Sequence, residues 1–242
     1  MKVLKLVHKL SGECHCSAVV LSAGSSERMG RDKMLIDLGG VPVLARSLAA
    51  FQNCPEVDEI IVVTRGSMLE ETAQLCRRHG MTKVKKIVIG GKTRTESALA
   101  GVSEVSRCAD FIAVHDGARP FVTVELVERT LDAARKFRAA APAVKSVDTL
   151  KKVDENGYIE ENVDRECTVR IQTPQIFDAD IIKGALTYAM KDGTVFTDDC
   201  AAVGAIGYKT RIVDGDEENI KITTENDITI AEAILKNRSR RI

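Results

Sequence analysis

The chain has 242 residues, 44% of them hydrophobic, enough to bury the core of one sizeable domain. Thirty-five Lys and Arg balance thirty-five Asp and Glu, and only 4% of residues are aromatic, so the composition offers neither a basic field nor a stacking surface for nucleic acid. No apolar run approaches the roughly eighteen residues of a membrane helix, and an anionic ligand must be held by locally placed cations.

Residues 1–15 carry Lys2, Lys5 and Lys9 without a sustained apolar stretch or a small-residue cleavage site, so they read as an N-terminal extension and not a secretory leader. Cys14-His15-Cys16 has no second Cys/His pair to complete a tetrahedral metal site. The seven cysteines are odd in number and lack CxxC spacing, which fits free thiols in a reducing cytoplasm.

From residue 16 the chain alternates apolar strands and amphipathic helices. Cys16–Leu21 reads as a buried strand. Val41–Gln52 reads as a helix entered through Gly39-Gly40, with Pro42 in its first turn. Val57–Val63 is a strand, Ser67–His79 a helix stopped by Gly80, Lys83–Ile89 a strand, and Thr95–Val105 a helix after Gly90-Gly91. Phe111–His115 and Val124–Arg138 add a further strand and helix. This rhythm predicts an α/β fold, a parallel sheet covered on both faces, with ligands beyond the carboxyl ends of the strands. Residues 142–172 break it. Val144–Val153 is strand-like, Glu155-Asn156-Gly157 a turn, and Tyr158–Val163 and Thr168–Ile171 return, a β-excursion too polar to stand alone and suited to packing on a second subunit. Helices follow at Ala179–Lys191 and Asp198–Ile206, a strand at Lys209–Val213, and a last helix from Thr224 with Asp227 placed for a capping box.

Several polar sets fall where such a sheet puts its ligands. Ser22-Ala23-Gly24-Ser25-Ser26, followed by Arg28 and Lys33, offers backbone amides and two cations to a polyphosphate, in a pattern that is neither a P-loop nor a GxGxxG turn. Gly90-Gly91, Arg94 and Ser97 fit either a close approach to a flat or anionic group or an ordinary strand–helix turn. In His115-Asp116-Gly117-Ala118-Arg119-Pro120, Asp116 suits Mg²⁺ or another divalent cation beside bound phosphate, or equally a structural pair with Arg119. His115, closing a strand, reads as hydrogen-bonded support in preference to a general base. Asp148-Thr149, Asp164-Arg165 and Thr173-Pro174-Gln175 each read as exposed surface, and Thr197-Asp198-Asp199 as a helix start. Asn219-Ile220-Lys221-Ile222-Thr223 sets Lys221 opposite its apolar neighbours in a short strand.

Taken together, and in this order along residues 17–236, these sets resemble the 2-C-methyl-D-erythritol 4-phosphate cytidylyltransferase family. The opening loop alone is shared with other nucleotidyltransferases; His115–Phe121 is much more specific. Ser22 stands where the family more often has Ala, and Ser26 where it often has Gly. The resemblance implies a three-layer, Rossmann-like nucleotidyltransferase sheet forming one domain over residues 16–242, with a protruding β-arm at about 142–172 that embraces a second subunit. It implies transfer of CMP from CTP to a polyol phosphate with Mg²⁺, by a homodimer. Ser22, Ala23, Gly24, Arg28 and Lys33 would hold the triphosphate, and Gly91 and Ser97 the cytidine. Asp116 would sit by metal and nucleotide. Arg119, Thr173, Thr197 and Lys221 would line the acceptor and α-phosphate, while Thr149 and Arg165 would reach the partner's site.

A phosphate monoester is largely dianionic at neutral pH and needs no general base, so Arg28, Lys33 and Lys221 would act by neutralising charge. The neighbouring alternatives are a ribitol 5-phosphate cytidylyltransferase, which shares most of the motifs, and a sugar-nucleotide pyrophosphorylase, which leaves the arm motifs unexplained. A non-catalytic CTP-binding module would have little use for Lys33 and Lys221.

Overall fold

The computed structural model describes residues 15–24 and 32–240. In chain order, β1 (Cys16–Leu21) is followed by β2 (Asp37–Leu38), β3 (Val41–Pro42), α1 (Val43–Asn53), β4 (Glu59–Thr64), α2 (Leu69–Arg78), β5 (Val84–Ile89), α3 (Arg94–Ser103), β6 (Phe111–Asp116) and α4 (Val124–Phe137). Then come β7 (Ala139–Lys145), β8 (Lys151–Val153), β9 (Ile159–Asn162), β10 (Val169–Ile171), β11 (Gln175–Asp178), α5 (Ala179–Asp192), α6 (Asp199–Ala205), β12 (Arg211–Asp214) and α7 (Glu225–Ser239).

β5, β4, β1 and β6 are parallel neighbours, and the fully buried, largely apolar β1 and β4 suit strands covered on both faces, whereas β5 carries exposed Lys85 and Lys86. β11 extends the sheet antiparallel to β6, and β7 joins β11, with β10 and β12 also pairing to β7. Side-chain alternation splits the core into two layers. Ala18, Val20, Ile60, Val62 and Ala113 face one side with Leu44, Phe51, Leu126 and Leu131 of α1 and α4. Val19, Ile61, Val63, Ile112 and Val114 face the other with Val102, Ile182, Leu186 and Val203 of α3, α5 and α6. Helix α3 sits tight on the sheet because Gly101 has no side chain; a Cβ there would lie 2.4 Å from Val19 Cγ1 and 2.6 Å from Val63 Cγ2. A third cluster, with Leu38, Phe121, Ile222 and Ala231, fastens α7 beneath the segment carrying Lys221.

The sequence expectations depart from this fold in four places. Val41 and Pro42 form a hairpin strand with Asp37 and Leu38, because Gly39 and Gly40 take φ of 60° and 81° and close a two-residue turn; the helix begins two residues later than expected, at Val43. The strand expected over Val144–Val153 is two strands, since β7 stays in the main sheet through Lys145 and β8 starts at Lys151. Thr168–Ile171 belongs with β10, paired to β7 and not to the excursion. The excursion is thus the separate β8–β9 sheet and its connections, with every residue of both strands exposed. Finally, β11 and the early part of β7 lie outside the expected strands, and Ala139-Ala140-Ala141-Pro142 has little strand propensity of its own. The capping box of α7 forms as expected, with the Asp227 carboxylate accepting the Thr224 N–H at 2.8 Å.

Candidate active site

A cleft of about 440 Å³ opens beyond the carboxyl ends of β1, β5 and β6. Its walls include Ala23 and Gly24, Lys33 and Met34, Gly91 through Arg94, Ser97, Asp116, Ala118 and Lys221. Arg28 falls in residues 25–31, outside the described residues. Lys33 begins a short 3₁₀ turn whose cap, Asp32, accepts the Met34 N–H at 3.0 Å and is ion-paired with Arg65. Ser22 turns away from the cleft, its N–H and its hydroxyl each donating to the Val63 carbonyl at 2.7 Å. Gly90 lets the β5–α3 turn press against the opening loop, because a Cβ there would come within 2.7 Å of Ala23 Cβ. Ser97, in the first turn of α3, donates its hydroxyl to the Thr93 carbonyl at 2.9 Å.

Asp116 is the electrostatic centre. Lys221 Nζ lies 2.9 Å from its Oδ2, Arg119 Nε 3.5 Å from the same oxygen, and Arg94 Nη2 3.7 Å from Oδ1. Burial alone would raise its pKa, but Lys221, Arg94 and Arg119 override that and hold the carboxyl well below the usual carboxylate range. Of the two sequence readings of Asp116, these contacts show the pairing with Arg119. Two residues beyond β6, Ala118 accepts the Ile222 N–H at 2.9 Å, and Arg119 Nη1 donates to the Asn219 carbonyl at 2.8 Å. Residues 219–222 form no regular strand, yet Ile222 is buried and Lys221 emerges at the cleft, as alternation requires.

Thr173 supports this centre from behind. Between Ile171 and Ile176 the chain takes five steps while its partner β7 takes three, from Ala143 to Ala140, so the bulge around Gln172–Pro174 redirects Thr173 towards β6. Its hydroxyl oxygen accepts the Asp116 N–H at 3.1 Å and lies 2.9 Å from His115 Nδ1. His115 is fully buried against Phe51, and burial pushes its imidazole down to about 3, so it is neutral at physiological pH. It supports the strand end and has no route to solvent from which to act as a base.

The family model described as IspD, 2-C-methyl-D-erythritol 4-phosphate cytidylyltransferase, matches residues 16–237. The chain belongs to this family. The relative from Clostridium tetani with the same description is 35% identical over 235 residues, 96% of this chain and 94% of its own length. That from Caldanaerobacter subterraneus is 39% identical, covering 91% of this chain and 98% of its own. Among solved structures, the 4-diphosphocytidyl-2C-methyl-D-erythritol synthase of Anaerococcus prevotii superimposes with a TM-score of 0.83 at 32% identity, over 93% of this chain and 97% of its own. The cytidylyltransferase of Thermus thermophilus gives 0.75 at 31% identity, over 90% and 98%.

Of the residues assigned by resemblance to this cytidylyltransferase family, Ala23, Gly24, Lys33, Gly91, Ser97, Asp116 and Lys221 meet in the cleft, with Arg119 and Thr173 packed directly behind Asp116. Thr197 is exposed just before Asp198, the N-cap of α6, and does not line the cleft. Thr149 and Arg165 are exposed on the excursion, away from the cleft of their own chain. Met34 and Asp199 are among the groups at the site to which the sequence assigned no role. Met34 lines the cleft only because Lys33 opens a turn. Asp199 is buried at 1% exposure and accepts from Arg94 at 2.7 Å; as the second acid of a helix start it carries no sequence signal of pointing inward.

Proposed function

We propose that the chain transfers CMP from CTP to 2-C-methyl-D-erythritol 4-phosphate, releasing pyrophosphate and 4-diphosphocytidyl-2-C-methyl-D-erythritol. The observation that carries this reading is the ring of Lys221, Arg119 and Arg94 around ionised Asp116, in a cleft shared with Lys33, within a chain of this family. The acceptor phosphate is itself the nucleophile, so the protein must align two anions and offset their repulsion. Lys33 meets the triphosphate from one wall, Lys221 the α-phosphate and acceptor from the other, and Arg28 belongs by its place in the loop to the first group. Neutral, enclosed His115 agrees with a reaction that needs no protein base.

A divalent cation fits this donor set. Asp116 stays ionised, and among the described residues its Oδ1 is faced by Arg94 at 3.7 Å and no group of three or more His, Cys, Asp or Glu is placed to hold a metal. One carboxylate plus substrate phosphates is the usual setting for Mg²⁺. When bound it would supply charge neutralisation on the phosphate oxygens.

In the same reading the enzyme is a cytoplasmic homodimer, in which the excursion carries Thr149 and Arg165 to the partner's acceptor site. Support comes from the exposed apolar residues Val147, Val153, Tyr158 and Ile159 on that excursion, and from the free thiols of Cys54, Cys76, Cys108, Cys167 and Cys200. No helix among the described residues is long and apolar enough to cross a membrane.

The test is a side-by-side assay of pyrophosphate release from CTP with 2-C-methyl-D-erythritol 4-phosphate and with ribitol 5-phosphate. The expected result is a strong preference in kcat/KM for the methylerythritol phosphate. Preference for ribitol phosphate, or CTP binding without release with either, overturns the reading.

A further inference from the structure

Arg94 opens α3 beside the Gly91–Ser97 turn, and Asp199 opens α6 just after Thr197. The two are joined across the molecule, with Arg94 Nη2 donating to Asp199 Oδ2 at 2.7 Å while the same nitrogen stays 3.7 Å from Asp116 Oδ1. Asp199 is held with unusual care. Gln175, 1% exposed and at the start of β11, accepts the N–H groups of Asp199 and Cys200 through Oε1, both at 3.0 Å, and donates through Nε2 to Asp198 at 2.9 Å. Nevertheless Asp199 Oδ1 is buried without a hydrogen-bond partner among the described residues. An enclosed carboxylate with one idle oxygen is an expensive way to begin a helix when a cap, Asp198, already stands beside it. Its use lies in what it does to Arg94.

We propose that Asp199 is a positioning residue for the transfer step, drawing Arg94 back so that Asp116 keeps its pairing with Lys221 and presents Oδ1 to the cleft. The inference rests on the function proposed above. Without the Asp199 charge Arg94 loses its hydrogen-bonded counter-ion, and the Asp116 carboxylate is left to draw it inward, which would occupy Oδ1 and loosen Lys221. The same strut couples the first turn of α3, on the nucleotide side, to the start of α6.

The experiment compares wild type, Asp199→Asn, Arg94→Gln and the double variant by kcat, by KM for both substrates and by calorimetric CTP binding. Lys221→Ala is the reference. Asp199→Asn keeps the shape of the side chain and should lower kcat by about 10- to 100-fold, the scale of a misplaced catalytic group, with CTP Kd within about threefold of wild type. The double variant should be no worse than Arg94→Gln, because both act along one path. If the amide variant does not fold, Asp199→Ser, which leaves room for a water beside Arg94, should give the same signature. Near-wild-type kcat for Asp199→Asn, or losses that multiply in the double variant, overturns the inference. If Lys221→Ala collapses turnover in those same measurements, only the inference falls; if Lys221→Ala is also unimpaired, the proposed function falls with it.

Discussion

Single side chains at the two ends of the sheet are tuned in opposite senses. At the carboxyl end, Asp116 is kept ionised by three cations. At the amino end, His15 is held by carboxylates: Nδ1 lies 3.3 Å from Asp58 Oδ2, Nε2 3.8 Å from Glu59 Oε1, and its backbone N–H donates to Asp110. Glu59, with Asp58 and Asp110, raises the His15 pKa above its ordinary value despite partial burial. A raised folded-state pKa stabilises the protein fully below the unfolded value of about 6.5 and is lost as pH climbs through the folded value. His15→Asn should therefore lower Tm at pH 6 by the equivalent of about 1 kcal/mol, roughly 2–4 °C for a chain this long, with the gap narrowing towards pH 9. Thermal melts across that range check it, and a gap that widens with pH contradicts it. His15 stood in the sequence as part of an incomplete Cys-His-Cys cluster. Its carboxylate partners at 58, 59 and 110 come together only when β1, β4 and β6 pair, so no local pattern could announce them.

Elements built from local periodicity were legible in the sequence, and those built from pairing were not. β1, β4, β5 and β6 and helices α1 to α5 follow from apolar runs and caps, because each buries a stripe readable within one window. β7 and β11 do not, since an alanine-rich strand and a four-residue strand owe their form to their neighbours. The excursion was visible as a break in rhythm, although its main-sheet flanks were not separable from the β8–β9 hairpin. Polar, two-stranded and exposed, that hairpin lacks a core of its own. Tyr158 and Ile159 are 75% and 65% exposed, which is costly unless something covers them. Light scattering should give twice the mass of the chain. Tyr158→Ser with Ile159→Ser should shift it towards one chain and lower activity together. A monomeric wild type with full activity contradicts the dimer.

At the scale of the whole molecule, the fold gathers cations from distant parts of the chain around a small volume. Lys33 comes from a turn after β1, Arg94 from the start of α3, Arg119 from the loop after β6, and Lys221 from the segment laid over Ala118. The sequence singled out each of these positions, but could not say that Ser22 bonds into the sheet, that Thr173 works through the Asp116 backbone, or that Asp199 reaches Arg94, because those are facts of side-chain direction. Turnover, in this reading, rests on the cationic clamp and on no protein base. The decisive experiment measures steady-state rates of pyrophosphate release for wild type, Lys33→Ala and Lys221→Ala with CTP and 2-C-methyl-D-erythritol 4-phosphate. Each variant should lose on the order of 10²- to 10³-fold in rate, by analogy with removal of one preorganised donor, with circular dichroism unchanged. Near-wild-type turnover in either variant would contradict the clamp.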